Sequence, residues 1–295
     1  MKVKKFKNKK LLYIFFAAGV LTLILFSVFG IYSAKTFSDK SKTVIILNLN
    51  NKNYILNFFK PSAQKILNHK DEIVIKDPKL FDLKFRNREN LIMRVVGKPG
   101  EIITIRDTKV YVNDEYLEFS DPLYFCYRIT FKESVDFGKI LKPYDVKILE
   151  ILSDAKSCNV WCNENVAEEI SKIQGILNIR KVFLLANTNN RGTFPHSDFF
   201  SWNKDNFGPV LIPYKGMDVK LNYRNIALYK RIIDYYEDHE LYYDYNKILI
   251  DGVQADSYTF EKNYFFVLSD DRYSTQDSRV WGFIPEDFII GKVLF

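Results

Sequence analysis

Six side chains of this 295-residue chain are of the types that hold soft metals or carry redox chemistry: Cys126, Cys158 and Cys162, with His69, His196 and His239. The histidines lie far in sequence from the cysteines and from one another, so the close spacing of a zinc site is missing. Cys158 and Cys162 are near enough along the chain for one local disulfide, which leaves Cys126 odd; free thiols are the alternative. No metal and no cofactor is expected. The stretch from Ser269 to Arg279 (SDDRYSTQDSR) sets hydroxyls among carboxylates and guanidinium groups, whereas a lone serine elsewhere in the chain is more often a loop residue than a nucleophile.

The elements that must position these residues read mainly as short strands. VIILNL from Val44, DEIVI from Asp71, NLIMRVVG from Asn90, EIITI from Glu101 and KVYV from Lys109 are β-rich runs punctuated by turn residues. Lys98-Pro99-Gly100 and Asn113-Asp114 are the clearest turns. Strands return over Lys247 to Val253 and Tyr264 to Leu268. In the middle, Asn165 is expected to cap a helix with Val166, Ile170, Ile173 and Leu177 as its apolar stripe. A second helix is expected over Arg224 to Glu237, with Tyr229, Ile232, Ile233 and Tyr236 on one face. Residues 119–246 therefore read as a mixed α/β insertion dividing a β core made of 44–118 and 247–295.

Hydrophobic residues at 47% and aromatics at 16% are ample for a packed core and exclude a disordered chain. The net charge of +7 is not a nucleic-acid signal, because six lysines fall in the first ten residues and removing them leaves +1. From Leu11 to Ala34 no residue is charged, a length that crosses a bilayer. It is too long for the apolar part of a cleaved leader, and Tyr32 spoils a small-x-small cleavage site ending at Ala34. The expectation is a basic cytoplasmic tail over 1–10, a single retained membrane span over 11–34, a tether over 35–43, and a domain outside the cytoplasm, following the positive-inside rule.

Met93-Arg94-Val95-Val96-Gly97-Lys98-Pro99-Gly100-Glu101 resembles the K-R-x-x-G-x-P-G-D motif of type I signal peptidases. The Ser269–Arg279 stretch resembles that family's G-D-N-R-D-N-S-x-D-S-R, and the chain continues through Trp281-Gly282-Phe283-Ile284-Pro285 and Ile290-Gly291-Lys292 as the family's closing strand does. The middle, including WNKDNFGPVLIPYKG, looks like that of the family's long-insertion bacterial members. The resemblance implies a signal-peptidase-like antiparallel β core and residence in the bacterial inner membrane. It also implies exported preproteins or their signal peptides as partners, beside membrane lipid and without nucleic acid. The implied chemistry is a serine hydroxyl attacking the scissile carbonyl while a buried, neutral lysine takes its proton.

Residue by residue, the resemblance puts Ser62 at the nucleophile position, Met93 where the general-base lysine stands, and Thr275 where a family hydroxyl contacts that lysine. Arg94, Gly97, Asp270, Arg272, Asp277, Ser278 and Arg279 match residues around the site, the Asp277–Arg279 pair as a structural clasp. Ser269 replaces a family glycine. A thioether accepts no proton at useful pH, so the base is missing. His69, Lys98 and Lys65 are the nearby residues of suitable chemistry, and each reads first as a surface side chain. Two functions follow: a working signal peptidase, or a catalytically silent paralogue that binds peptides or assists a competent copy at the export site. A surface adhesin sharing only composition is the third and weakest reading.

Overall fold

The computed structural model describes residues 29–35, 41–48, 63–78, 90–244, 247–273 and 276–294. Strands β1 (Phe29–Lys35) and β2 (Ser41–Asn48) open the described chain as an antiparallel pair. Val44 and Ile46 are buried while Ile45 between them is 41% exposed, the two-residue alternation of a strand covered on one face. A single turn of helix, α1 (Ala63–Ile66), leads into β3 (Glu72–Lys76) and then β4 (Asn90–Gly97). Ile73, Val74 and Ile75 are all fully buried, so β3 is covered on both faces.

The chain next crosses to a second sheet. Gly100 takes a φ of 87° in the Lys98–Gly100 turn, where glycine adopts the left-handed region at no steric cost. β5 (Ile102–Arg106), β6 (Lys109–Val112) and β7 (Glu115–Tyr116) then form a meander. Asn113 and Asp114 both have positive φ, 49° and 66°, as the two centre residues of a tight hairpin require.

The insertion starts with β8 (Tyr124–Phe131), α2 (Phe137–Leu141), β9 (Lys147–Ile151), β10 (Ser157–Asn163), α3 (Glu164–Ser171) and β11 (Ile176–Lys181). Its sheet runs β11-β8-β10-β9, and α2 and α3 supply Phe137, Leu141, Ala167 and Ile170 to a core of its own. After it, β12 (Phe207–Leu211) joins β5 at the edge of the second sheet, and β13 (Asp218–Lys220) pairs with β17 (Ser257–Thr259). Between those two lie α4 (Ile226–Arg231), continued by a π-helical turn over Ile232–Tyr236, and the strands β14 (Leu241–Asp244), β15 (Lys247–Ile250) and β16 (Val253–Gln254). The end of the chain holds β18 (Tyr264–Leu268), α5 (Ser278–Trp281), β19 (Ile284–Pro285) and β20 (Ile289–Val293).

The main sheet runs β1-β2-β20-β3-β4-β18-β19. One parallel bridge, Lys35 to Leu91, brings β1 back to β4 and closes five of these strands into a ring. Ala34, Val44, Ile46 and Val74 form a small core of their own, with Ile92, Ile290 and Val293 packed on it. The large core packs on the outer side, where Ile73, Ile75, Met93 and Val95 meet α4, β12 and β18.

The mainly β, antiparallel fold agrees with the sequence reading; several details do not. Residues 1–28, which hold most of the expected membrane span, lie outside the described residues. Its end, from Phe29 to Ala34, is strand β1, and the expected tether enters β1 at Lys35 and β2 at Ser41. An apolar run without charges satisfies a buried strand as well as a helix, and hydrophobicity alone does not separate them. Among the described residues no helix is long and apolar enough to cross a membrane.

The helix expected to start at Asn165 is capped two residues earlier, by Asn163, whose side chain accepts the Val166 N–H at 3.0 Å. Leu177 is 59% exposed on β11, because the helix already ends at Ser171 and the chain turns through Gly175 at φ 94° into the strand. Cys158 and Cys162 both lie on β10, which spaces their Cα atoms by about 13 Å, beyond the roughly 7 Å a disulfide bridges. All three cysteines are free. Finally, the 119–246 segment is not uniform. A separate core spans only 123–179, whereas Phe194 to Tyr236 packs into the main core, and the β14–β15 hairpin straddles residue 246.

Candidate active site

Met93 sits on β4 opposite Ile73 of β3 and is 6% exposed within the large core. Alternation along β4 sends Met93 and Val95 to the apolar face and Arg94 to the other. Ala63, the residue after Ser62, is buried in the same core, as is Leu67. Ser62 and Thr275 themselves lie outside the described residues.

Arg94 is 5% exposed and fully engaged. Its Nε and Nη2 donate to the two carboxylate oxygens of Asp270 at 2.6 and 2.7 Å, a bidentate fork tying β4 to the loop after β18. Nη2 also reaches Glu72 at 3.0 Å, and Nη1 reaches the Lys70 carbonyl at 2.7 Å and Asp121 at 2.9 Å. Burial works against the guanidinium charge, but the bond and charge of Asp270, with Glu72 and Asp121, outweigh it and raise its pKa.

A second clasp folds the C-terminal loop onto itself. Asp277, fully buried, receives Arg279 Nη2 at 2.7 Å and Nε at 3.0 Å, and also accepts the Ser269 N–H at 3.2 Å. Arg279 Nη1 donates to the Arg272 carbonyl at 2.8 Å and to the Lys204 carbonyl at 3.2 Å. The Ser278 hydroxyl accepts the Val267 N–H at 3.0 Å. Ser269 carries its side chain without left-handed backbone, and its Oγ accepts the Asp271 N–H at 3.2 Å.

Arg272 is buried with its guanidinium 4.8 Å from the centre of the Phe119 ring, and its Nε and Nη2 have no hydrogen-bond partner among the described residues. Burial, helped by the charge of Arg279, lowers its pKa to about 10, which still leaves it charged at neutral pH. Gly97 ends β4 where the chain leaves the main sheet. A Cβ there would stand 2.4 Å from Ile212 Cδ1 and 2.6 Å from Ile103 Cδ1, so any side chain at this position would have to displace both isoleucines.

The structure thus gathers Arg94 with Asp270, and Asp277 with Ser278 and Arg279, on either side of Arg272. Three contributors were not singled out from the sequence. Glu72 had a signal, since pairing DEIVI with IMRVV places it opposite Arg94. Asp121 had none. Tyr124 had none either, though its N–H donates to the Asp270 carbonyl and its carbonyl accepts the Arg272 N–H. Of the three residues considered as substitute bases, His69 holds Glu101 through Nε2 at 2.8 Å, Lys65 is exposed and Lys98 is half-buried. Burial disfavours the Glu101 charge, but the His69 bond and the Lys98 N–H prevail and hold it below the ordinary carboxylate value. Among the described residues, no group of three His, Cys, Asp or Glu is placed to hold a metal ion.

A family model described as "Signal peptidase, peptidase S26" matches residues 8–147 and 209–295, well over half of the chain. The gap between those two segments falls wholly inside the insertion. A curated protein, Signal peptidase I of Buchnera aphidicola subsp. Baizongia pistaciae (strain Bp), is 56% identical over 34 residues, 12% of this chain. That match spans about a tenth (11%) of the relative's own length.

Proposed function

Since this chain belongs to the signal peptidase, peptidase S26, family, we propose that it engages the signal peptides of exported preproteins but does not cut them by Ser/Lys chemistry. The observation that carries this reading is Met93. A side chain 6% exposed, on a strand against Ile73, occupies the position where the family resemblance calls for the proton acceptor. A lysine placed there would be desolvated and neutral enough to take a proton from serine. Methionine fills that volume and cannot. The arginine clasps around it are retained, which supports a scaffold kept for binding.

The chain is proposed to sit in the bacterial inner membrane by its N-terminal apolar run, N-terminus inside, with the β domain outside the cytoplasm. There it would act beside a catalytically competent paralogue. A second reading is favoured by one specific contact: His69, seven residues after Ser62, is oriented by Glu101 at 2.8 Å, as a carboxylate orients the imidazole of a general base.

Cleavage of a signal-peptide-bearing preprotein by the full chain in detergent separates these readings. The expected result is no cleavage by the wild type, signal-peptide binding by fluorescence anisotropy, and measurable cleavage gained on Met93→Lys. Wild-type cleavage abolished by both Ser62→Ala and His69→Gln would instead establish the histidine-assisted peptidase.

A further inference from the structure

Away from the arginine clasps, a partly open cavity of about 280 Å³ lies between the β6–β7 turn region and the insertion sheet. That volume is at the lower edge of small-ligand sites, which suits an amino acid or the last residues of a peptide. Its apolar wall is built from Leu117, Phe119 and Phe125, and its charged groups are Lys109, Lys181, Glu164 and Asp121.

Asp121 is paired with Arg94, so its charge is already compensated. Lys181 is not compensated in that way: its ammonium lies 3.7 Å from the centre of the Phe125 ring, and it forms no ion pair within the described residues. Burial pushes its pKa below the ordinary ammonium value, Glu164 acts in the opposite sense and Lys109 adds to the lowering. Two ammonium groups therefore face a cavity that holds one uncompensated carboxylate. Phe119 lies against the buried Arg272, which sets that part of the wall before any ligand arrives.

We propose that this cavity binds a free α-carboxylate carried next to an apolar side chain, with Lys181 and Lys109 as its cationic partners and the Phe119–Phe125 wall taking the side chain. The carboxylate belongs either to a peptide's C-terminal end or to a free amino acid whose ammonium meets Glu164.

Titration calorimetry of the full chain in detergent tests this with three probes: N-acetyl-L-phenylalanine, L-phenylalanine and L-phenylalaninamide. Saturable binding of either acid is expected, with the amide, which lacks the carboxylate, weaker by about tenfold or more. Preference for the N-acetyl acid assigns the site to peptide ends; preference for free phenylalanine assigns it to amino acids. Lys181→Met should weaken the bound acid by a similar factor, and Lys181→Arg should restore most of it. Trinitrobenzenesulfonate labelling of the wild type, read by mass spectrometry, gives a measure independent of any variant's folding. Lys181 should be modified faster than surface lysines and protected by the bound acid. Equal binding of acid and amide, or unprotected labelling of Lys181, would overturn the proposal.

Discussion

Arg94 meets carboxylates of very different exposure, and their contributions should differ accordingly. Asp270 is a bidentate partner at 16% side-chain exposure, whereas Asp121 is a single contact at 57%. Removing one member of a buried pair strands the other charge, so Asp270→Ala should cost about 3–5 kcal/mol in urea unfolding. Asp121→Ala should cost under about 1 kcal/mol, as exposed pairs do. Equal losses would mean that Arg94 is not anchored chiefly by the fork. Glu101 supplies a pH signature. Its folded-state pKa lies below the unfolded value, so its contribution is complete above the ordinary carboxylate range and fades as pH falls through the folded value. Glu101→Gln should flatten the acid limb of stability against pH, a change visible in thermal melts between about pH 5 and pH 3. Met93 and the arginine boxes were readable in the sequence because their neighbours leave no freedom in alignment. Arg94's full set of partners was not, since Asp121 becomes a neighbour only when the chain folds.

Elements with strong local grammar were legible before any coordinates. β3 to β6 follow from β-branched runs and from turns that only glycine or asparagine-type residues accept, and Tyr229, Ile232, Ile233 and Tyr236 are buried together as their spacing requires. Competing local signals produced the errors. Asn163 and Asn165 are equally good caps by type, and the bond to Val166 N–H decides for Asn163. Asn163→Ala should therefore cost about 1 kcal/mol, whereas Asn165→Ala should be nearly neutral; the reverse order would refute this capping assignment. β12 was hidden because Gly208 and Pro209 read as loop, yet Phe207 and Val210 pair with Ile105 and Ile103. At Gly97 the constraint is spatial. Alanine there meets two isoleucine side chains under 3 Å, so Gly97→Ala should destabilise by about 1–3 kcal/mol, as overpacking does.

At the scale of the molecule, the insertion body over 123–179 has a core apart from the one that holds Met93. Its attachment to the C-terminal signature runs through Tyr124, bonded to both Asp270 and Arg272. The division has no sequence signal as sharp as a linker, because the segment after it returns to the main core without a composition break. All three cysteines of the chain fall in this one body, on β8 and β10, and none is more than 3% exposed. Burial pushes the Cys158 and Cys162 thiols up to about 11 and about 12, so the closed body is chemically silent to thiol reagents. The unmodified protein consequently carries its own clock for local opening. In dithionitrobenzoate, the colour that develops counts excursions of the insertion alone, and main-core tyrosine and tryptophan fluorescence times global unfolding. A thiol rate that outruns the fluorescence change would show that the inserted body breathes on its own while the signature loops stay assembled.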